Sequence, residues 1–302
     1  MGFAERMDRG LMTMINRSLF SVMVLSAVAS SAMATGFTLD ISRPANDGKG
    51  DYNLNSIRFS DGTIYNSFKY AQDVRNLTYN QHSPNDFRVV AGPNTSIGNK
   101  VTVLGDNHLS GKEVNLTTFL DRAEDVFQNR NLNHFFDVHS NCDPFGLTID
   151  YRNNPLKDKI LYTERGSGGS NSWVVIQAVD ANGNKVGKNF LVDPHSMKDT
   201  GQDVAIYSRS DNPVFHGTQD LSILALDVKR DLGVNQVDFL RVFTPQKGVM
   251  YGNGLMFNGL VGGKDLAPDF KIIGTGEAVP EPATMALLAL AALKRRKNKK
   301  SA

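Results

Sequence analysis

The chain has 302 residues, enough for one large domain or two small ones, with 40 % apolar and 21 % charged residues. A single cysteine excludes a disulfide scaffold, a multi-cysteine zinc protein and an iron–sulfur protein, each of which needs several thiolates. The formal charge of +2 is an average over unlike segments.

The first segment reads as a secretory leader. Arg6, Arg9 and Arg17 form a basic start, an apolar stretch runs from Leu19 to Val28, and Ala32-Met33-Ala34 makes an A-x-A-like site for signal peptidase. Cleavage there gives a signal peptide over 1–34 and a mature chain beginning at Thr35. The apolar stretch would reach about 15 Å as a helix, against a hydrocarbon core of about 30 Å, so it is too short for a permanent anchor.

From Thr35 the dominant signal is short alternating runs separated by turn residues. Gly36 to Ile41 is the first. Leu54 to Phe59 and Thr63 to Tyr70 flank Asp61-Gly62, a hairpin signal because glycine tolerates positive φ. Phe87 to Val90 and Lys100 to Leu104 follow. The pattern then changes: Leu116, Phe119, Leu120, Ala123, Val126 and Phe127 fall on one helical stripe, with Asp121, Arg122, Glu124 and Asp125 facing away. Asn115 or Thr117 could cap this helix, which would close an open end of the fold. Strands resume at Leu147 to Tyr151 and Lys159 to Thr163. Trp173 to Val179 and Lys185 to Leu191 flank Asn182-Gly183, a second hairpin signal. Val204 to Tyr207, Ser222 to Val228, Gln236 to Phe243 and Phe270 to Ile273 complete the set. This pattern predicts an all-β domain over 35–275: a single, jelly-roll-like β-sandwich with one short amphipathic helix.

The last segment, 276–302, holds three devices in series. Pro280-Glu281-Pro282 keeps the backbone extended, since proline fixes φ and lacks an N–H. Ala283 to Leu293 is apolar, and Lys294, Arg295, Arg296, Lys297, Lys299 and Lys300 form a basic end that would stay on the cytoplasmic side of a membrane. This order resembles the PEP-CTERM sorting signal of diderm bacteria. The resemblance implies exosortase as a partner, acting at Pro-Glu-Pro and removing the hydrophobic tail after transient inner-membrane association. The apolar run of about eleven residues would reach about 16 Å, short for a full span unless the basic side chains snorkel. The body is similar to a family of exosortase-dependent surface proteins of unassigned activity. The residues that carry this are Leu54-Asn55-Ser56-Ile57, Ile160 to Gly166, Val175 to Gly183, and Gly263 to Gly274 with Pro268-Asp269-Phe270-Lys271. The stretch from Asn129 to Pro144 fits that family poorly.

Setting aside the leader and the six basic tail residues leaves 24 basic and 29 acidic residues, Glu277 and Glu281 included, a net charge of about −5. An acidic body argues against nucleic acid as a partner, which needs a basic face. Chemistry is sparse. His134 and His139 lie near Cys142 and Asp143, but an i, i+5 pair falls on opposite faces of a strand and about 140° apart on a helix. Cys142 has no partner and no recognisably placed base. Gly166-Ser167-Gly168-Gly169-Ser170 lacks the nucleophile elbow, and no helix follows the glycines from Gly252 to Gly263 to present a phosphate site. Glu164 and Arg165, at a strand end, are candidates for recognising sugar hydroxyls or for satisfying structural partners. No cofactor is required. Calcium is the one metal that suits the loop carboxylates, with Asp51 and Asp269 as candidate ligands, while Asp180 to Asn184 fails as an EF-hand loop because Lys185 stands where glycine is needed. The expectation is therefore an exported surface or extracellular-matrix protein without catalytic activity. The alternative is a carbohydrate-binding module, calcium-assisted, with extracellular polysaccharide as its partner.

Overall fold

The structure is a computed structural model that describes residues 36–42, 50–78, 87–91, 101–104, 112–138, 144–166, 172–207, 215–259, 266 and 268–279. The chain divides into Met1–Thr35 and Gly36–Ala302, and every described residue belongs to the second unit. The leader, the Pro280-Glu281-Pro282 segment, the basic cluster from Lys294, and His139, Cys142 and Asp143 lie outside the described residues.

In chain order, β1 (Phe37–Ser42), β2 (Asn53–Phe59), β3 (Ile64–Tyr65), β4 (Phe68–Lys69) and β5 (Asp73–Thr78) come first. Next are β6 (Phe87–Ala91), β7 (Val101–Leu104), β8 (Lys112–Val114) and helix α1 (Leu116–Phe127). Then follow β9 (His134–Val138), β10 (Gly146–Asp150), β11 (Lys159–Arg165), β12 (Val174–Val179) and β13 (Lys185–Val192). The chain closes with β14 (Lys198–Tyr207), β15 (Phe215–Asp227), the single turn α2 (Val228–Asp231), β16 (Phe239–Phe243) and β17 (Asp269–Thr275). The fold is all-β, as the alternating runs predict.

Both predicted hairpins form. Phe59 N–H donates to Thr63 O at 2.8 Å across the first turn, with Gly62 at φ 87°. Asp180 N–H donates to Asn184 O at 2.9 Å across the second, with Gly183 at φ 82°. The Asp180 carboxylate accepts from the backbone of Asn182 and Asn184, so the segment from Asp180 to Asn184 is a side-chain-braced turn. The predicted strand from Thr63 to Tyr70 is two pieces: β3 pairs with β2, whereas β4 crosses to β17 in another sheet.

Three sheets stack in layers. The largest runs β14-β15-β11-β17-β9-β6-β7-β8, with β4 also paired to β17, and is antiparallel except for β7 with β8. On one face it packs against the five-stranded sheet β13-β12-β16-β10-β5, burying Phe136, Tyr162, Phe270 and Ile272 against Leu147, Ile149, Ile176 and Val242. On the other it packs against β1-β2-β3, burying Leu161, Ile223 and Ile273 against Phe37, Leu54, Ile57 and Tyr65. The two-layer sandwich thus carries a third, smaller sheet. The central sheet is covered on both faces, which is why β9 and β11 read as nearly continuous buried runs with no polar alternation.

Helix α1 closes the open side between β5 and the β6–β7–β9 part of the large sheet, burying Phe119, Ala123, Val126 and Phe127. Its cap is Asn115, whose side chain accepts from Thr118 N–H at 2.9 Å. Phe270 of β17 lies at the centre of an aromatic cluster, with ring centroids 5.5 Å from Phe136, 5.9 Å from Phe127 and 5.9 Å from Tyr162. Burying a ring of this size contributes about 1.5–3 kcal/mol, so this cluster ties the helix, β9, β11 and β17 into one core. The glycine-rich segment from Gln246 to Gly259 folds over the outer face of the five-stranded sheet, with Tyr251 and Phe257 against Val175 and Leu191 and half-buried Trp173 packed on Phe257.

Candidate functional site

Two places in the fold concentrate features beyond simple packing: the point where the chain leaves the body, and a set of buried polar residues on β9, β11 and β17.

At the exit, β17 pairs with β11 from Glu164↔Phe270 to Ile160↔Gly274, so the last strand is an interior one. Beyond Thr275 the backbone stays tied to the segment that holds β3 and β4. Gly276 N–H donates to Ser67 O at 2.8 Å, and Val279 N–H donates to Ile64 O at 2.7 Å, making a bridge. A Cβ on Gly276 would lie 2.2 Å from Ser67 Oγ and 3.1 Å from Ser67 O, so a side chain here would force Ser67 to shift. Pro280 comes next in sequence and has no backbone N–H to donate.

The buried polar set begins with Glu164, which Ser172 N–H reaches at Oε1 (2.9 Å) and Tyr162 Oη at Oε2 (3.1 Å). Complete burial pushes the Glu164 carboxyl well above the usual range, and the Asp269 charge adds to that rise. On the opposite face of β11, buried Arg165 sits 2.9 Å from Asp269 Oδ2 and 3.8 Å from Asp137 Oδ2, with its guanidinium 5.1 Å from the centre of the Phe135 ring. Both residues singled out by sequence are therefore engaged by groups of the protein itself and are only 1 % and 5 % exposed.

Lys271 is also wholly buried. Its Nζ donates to Val126 O at the C-terminal end of α1 and to Asn129 Oδ1 at 3.0 Å. Burial among neutral acceptors pulls its pKa well below the ordinary lysine value. Asn129 Nδ2 donates to Asp125 O and lies 3.1 Å from His134 Nδ1, and Asn129 Oδ1 also accepts from Asn131 N–H at 2.8 Å. Burial first, and the neighbouring Lys271 second, lower His134 to about 3, so this imidazole is neutral. Sequence reasoning missed this network. Its one signal is a lysine set inside an otherwise apolar strand.

Residues 278–297 match the PEP-CTERM protein-sorting motif. The chain carries an exosortase sorting signal. No curated protein and no solved structure matches the chain at a significant level. The PEP-CTERM motif makes this an exported protein directed to the cell surface, with exosortase as its processing partner. The motif opens at Ala278, and its second residue, Val279, is the one bridged to Ile64. Among the described residues no helix is long and apolar enough to cross a membrane.

The candidate calcium ligands are not brought together. Asp51 Oδ1 accepts from Asn131 Nδ2 at 2.7 Å just ahead of β9, whereas Asp269 pairs with Asp137 near the far end of β9 and meets Arg165. Among the described residues no three His, Cys, Asp or Glu side chains gather as metal ligands. A cleft of about 430 Å³ opens beside Arg58 and Lys198, but the Lys198 Nζ donates to Phe37 O, and the flanking Phe37 and Phe59 rings are buried.

Proposed function

We propose that the body from Thr35 to Thr275 is a non-catalytic surface module, exported by the 1–34 leader and presented in the envelope or extracellular matrix after exosortase acts at Pro280-Glu281-Pro282. The observation that carries this reading is the PEP-CTERM motif joined to an interior strand of a three-layer β-fold. An enzyme attached in this way would need reactive groups open to solvent. Glu164, Arg165 and Lys271 are instead enclosed in the core, which supports a structural role. The carbohydrate-binding alternative gains little from the Arg58–Lys198 cleft, whose rings offer no exposed face for a sugar to stack on.

Replacing Pro280, Glu281 and Pro282 together by alanine tests the reading. The expected outcome is loss of the protein from the cell surface and accumulation of a tail-bearing form in the inner membrane, seen by fractionation and blotting. Unchanged surface delivery of a tail-free product would contradict it.

A further inference from the structure

We propose that Asn129 and Lys271 become joined by an intramolecular isopeptide bond, formed by the fold itself. Four geometric features converge on the Asn129 amide. The Lys271 amine lies 3.0 Å from Oδ1, one bond away from the Cγ it would attack. Its two donated hydrogen bonds, to Val126 O and Asn129 Oδ1, use both hydrogens of a neutral amine and leave the lone pair free. Asn131 N–H points at Oδ1 from 2.8 Å, where it would stabilise negative charge developing on that oxygen. The departing nitrogen, Nδ2, is fixed by Asp125 O and stands 3.1 Å from His134 Nδ1. Lys271 and His134 are buried and Asn129 is half-buried, and the reacting groups are held by α1, the loop after it and an interior strand, so attack needs no further ordering of the chain. Complete burial disfavours the charged ammonium and so favours the uncharged, nucleophilic amine.

The step balances without an oxidant or a co-reactant. Lys271 Nζ attacks Asn129 Cγ, forming a new C–N bond while Oδ1 takes up the carbonyl electrons beneath Asn131 N–H. Collapse of this intermediate restores C=O and breaks the Cγ–Nδ2 bond. One proton from Nζ passes to Nδ2, with the neutral His134 imidazole beside that nitrogen as the relay, and ammonia leaves. One amide replaces another. The product would close a loop between residues 142 positions apart, stapling the α1–β9 connection to β17, the strand that leads into the sorting motif. A chain with one cysteine has no intramolecular disulfide to serve this purpose. The bond is independent of exosortase processing.

Tryptic mapping of the full chain, purified natively and then denatured, tests the proposal by mass spectrometry. Linked protein would lose cleavage after Lys271, and the Ala123–Arg130 peptide would appear only joined to the Lys271 segment, lighter by one ammonia than the two parts. Lys271→Arg keeps hydrogen-bond donors at the site but cannot form the amide, and should release Ala123–Arg130 as a free peptide. The wild-type map decides the matter even if that variant does not fold. Recovery of free Ala123–Arg130 and of a peptide ending at Lys271 from folded wild-type protein would overturn the proposal, as would a link from Lys271 to any other residue.

Discussion

At the residue scale the buried carboxyl of Glu164 sets a pH dependence opposite to that of an ordinary ion-paired acid. Its folded pKa is raised by burial, so the stability it contributes is complete below its unfolded value of about 4.3 and is lost as pH rises through the folded value. Glu164→Gln keeps an acceptor for Ser172 N–H and has no proton to lose. Its unfolding free energy in urea should vary less with pH across that window and exceed wild type at the alkaline end. Glu164→Ala, which removes the carboxyl that accepts from Ser172 N–H, should cost about 1–3 kcal/mol at all pH values. A Glu164→Gln profile as steep as wild type would contradict a protonated Glu164. Asp150 behaves the other way. Burial alone would raise it, but Arg152 at 2.8 Å and Arg75 at 2.9 Å more than offset that, so its stabilising contribution disappears as pH falls through its lowered pKa. Sequence drew attention to Glu164 and Arg165 because both are charged at a strand end. It could not show that the strand lies in a sheet covered on both faces, which turns a pair of surface candidates into core residues. The Lys271–Asn129 contact was illegible for a different reason: nothing local links residues so far apart in the chain.

At the element scale, what the sequence made legible follows from local physics. Asp61-Gly62 and Asn182-Gly183 marked hairpins because each places a glycine where φ is positive, and the 116–127 stripe marked α1 because its apolar spacing is helical. The missed elements lack such local signals. Every residue of β9 is buried, so it shows no alternation, and β14 and β15 extend through polar stretches such as Lys198 to Asp203 that read as loop. The separate β1-β2-β3 layer depends on which strands pair, which residue patterns do not encode. The helix also carries a pH-sensitive contact. The protonated Glu124 carboxyl on α1 donates a hydrogen bond to Asp73 at the start of β5, and burial followed by that contact raises Glu124 to about 7. With a raised folded pKa, its contribution is full below about 4.3 and fades as pH passes through about 7. Hydrogen exchange of the α1 amides, corrected for intrinsic rates, should therefore quicken between pH 6 and pH 8, and Glu124→Gln should remove the change. Equal protection at both pH values in the wild type would show that the Asp73–Glu124 contact does not hold the helix.

At the scale of the whole molecule, the three layers converge on β17. That strand is paired with β11, β9 and β4, supplies Phe270 to the aromatic cluster and Lys271 to the buried network, and ends in the Gly276–Val279 tie to the β3–β4 segment. A pull on the sorting tail is thus borne by an interior strand of the largest sheet, an arrangement suited to a protein held through its C-terminal segment. The acidic body and basic tail divide the electrostatics in the same sense, with attraction to anionic lipid confined to the sorting segment. The most direct test is the intact mass of the protein recovered from its native cell surface or medium, with both termini mapped. The account predicts a chain that begins near Thr35 and ends within Pro280 to Pro282. A surface-exposed chain that retains Lys294 to Ala302 would contradict it.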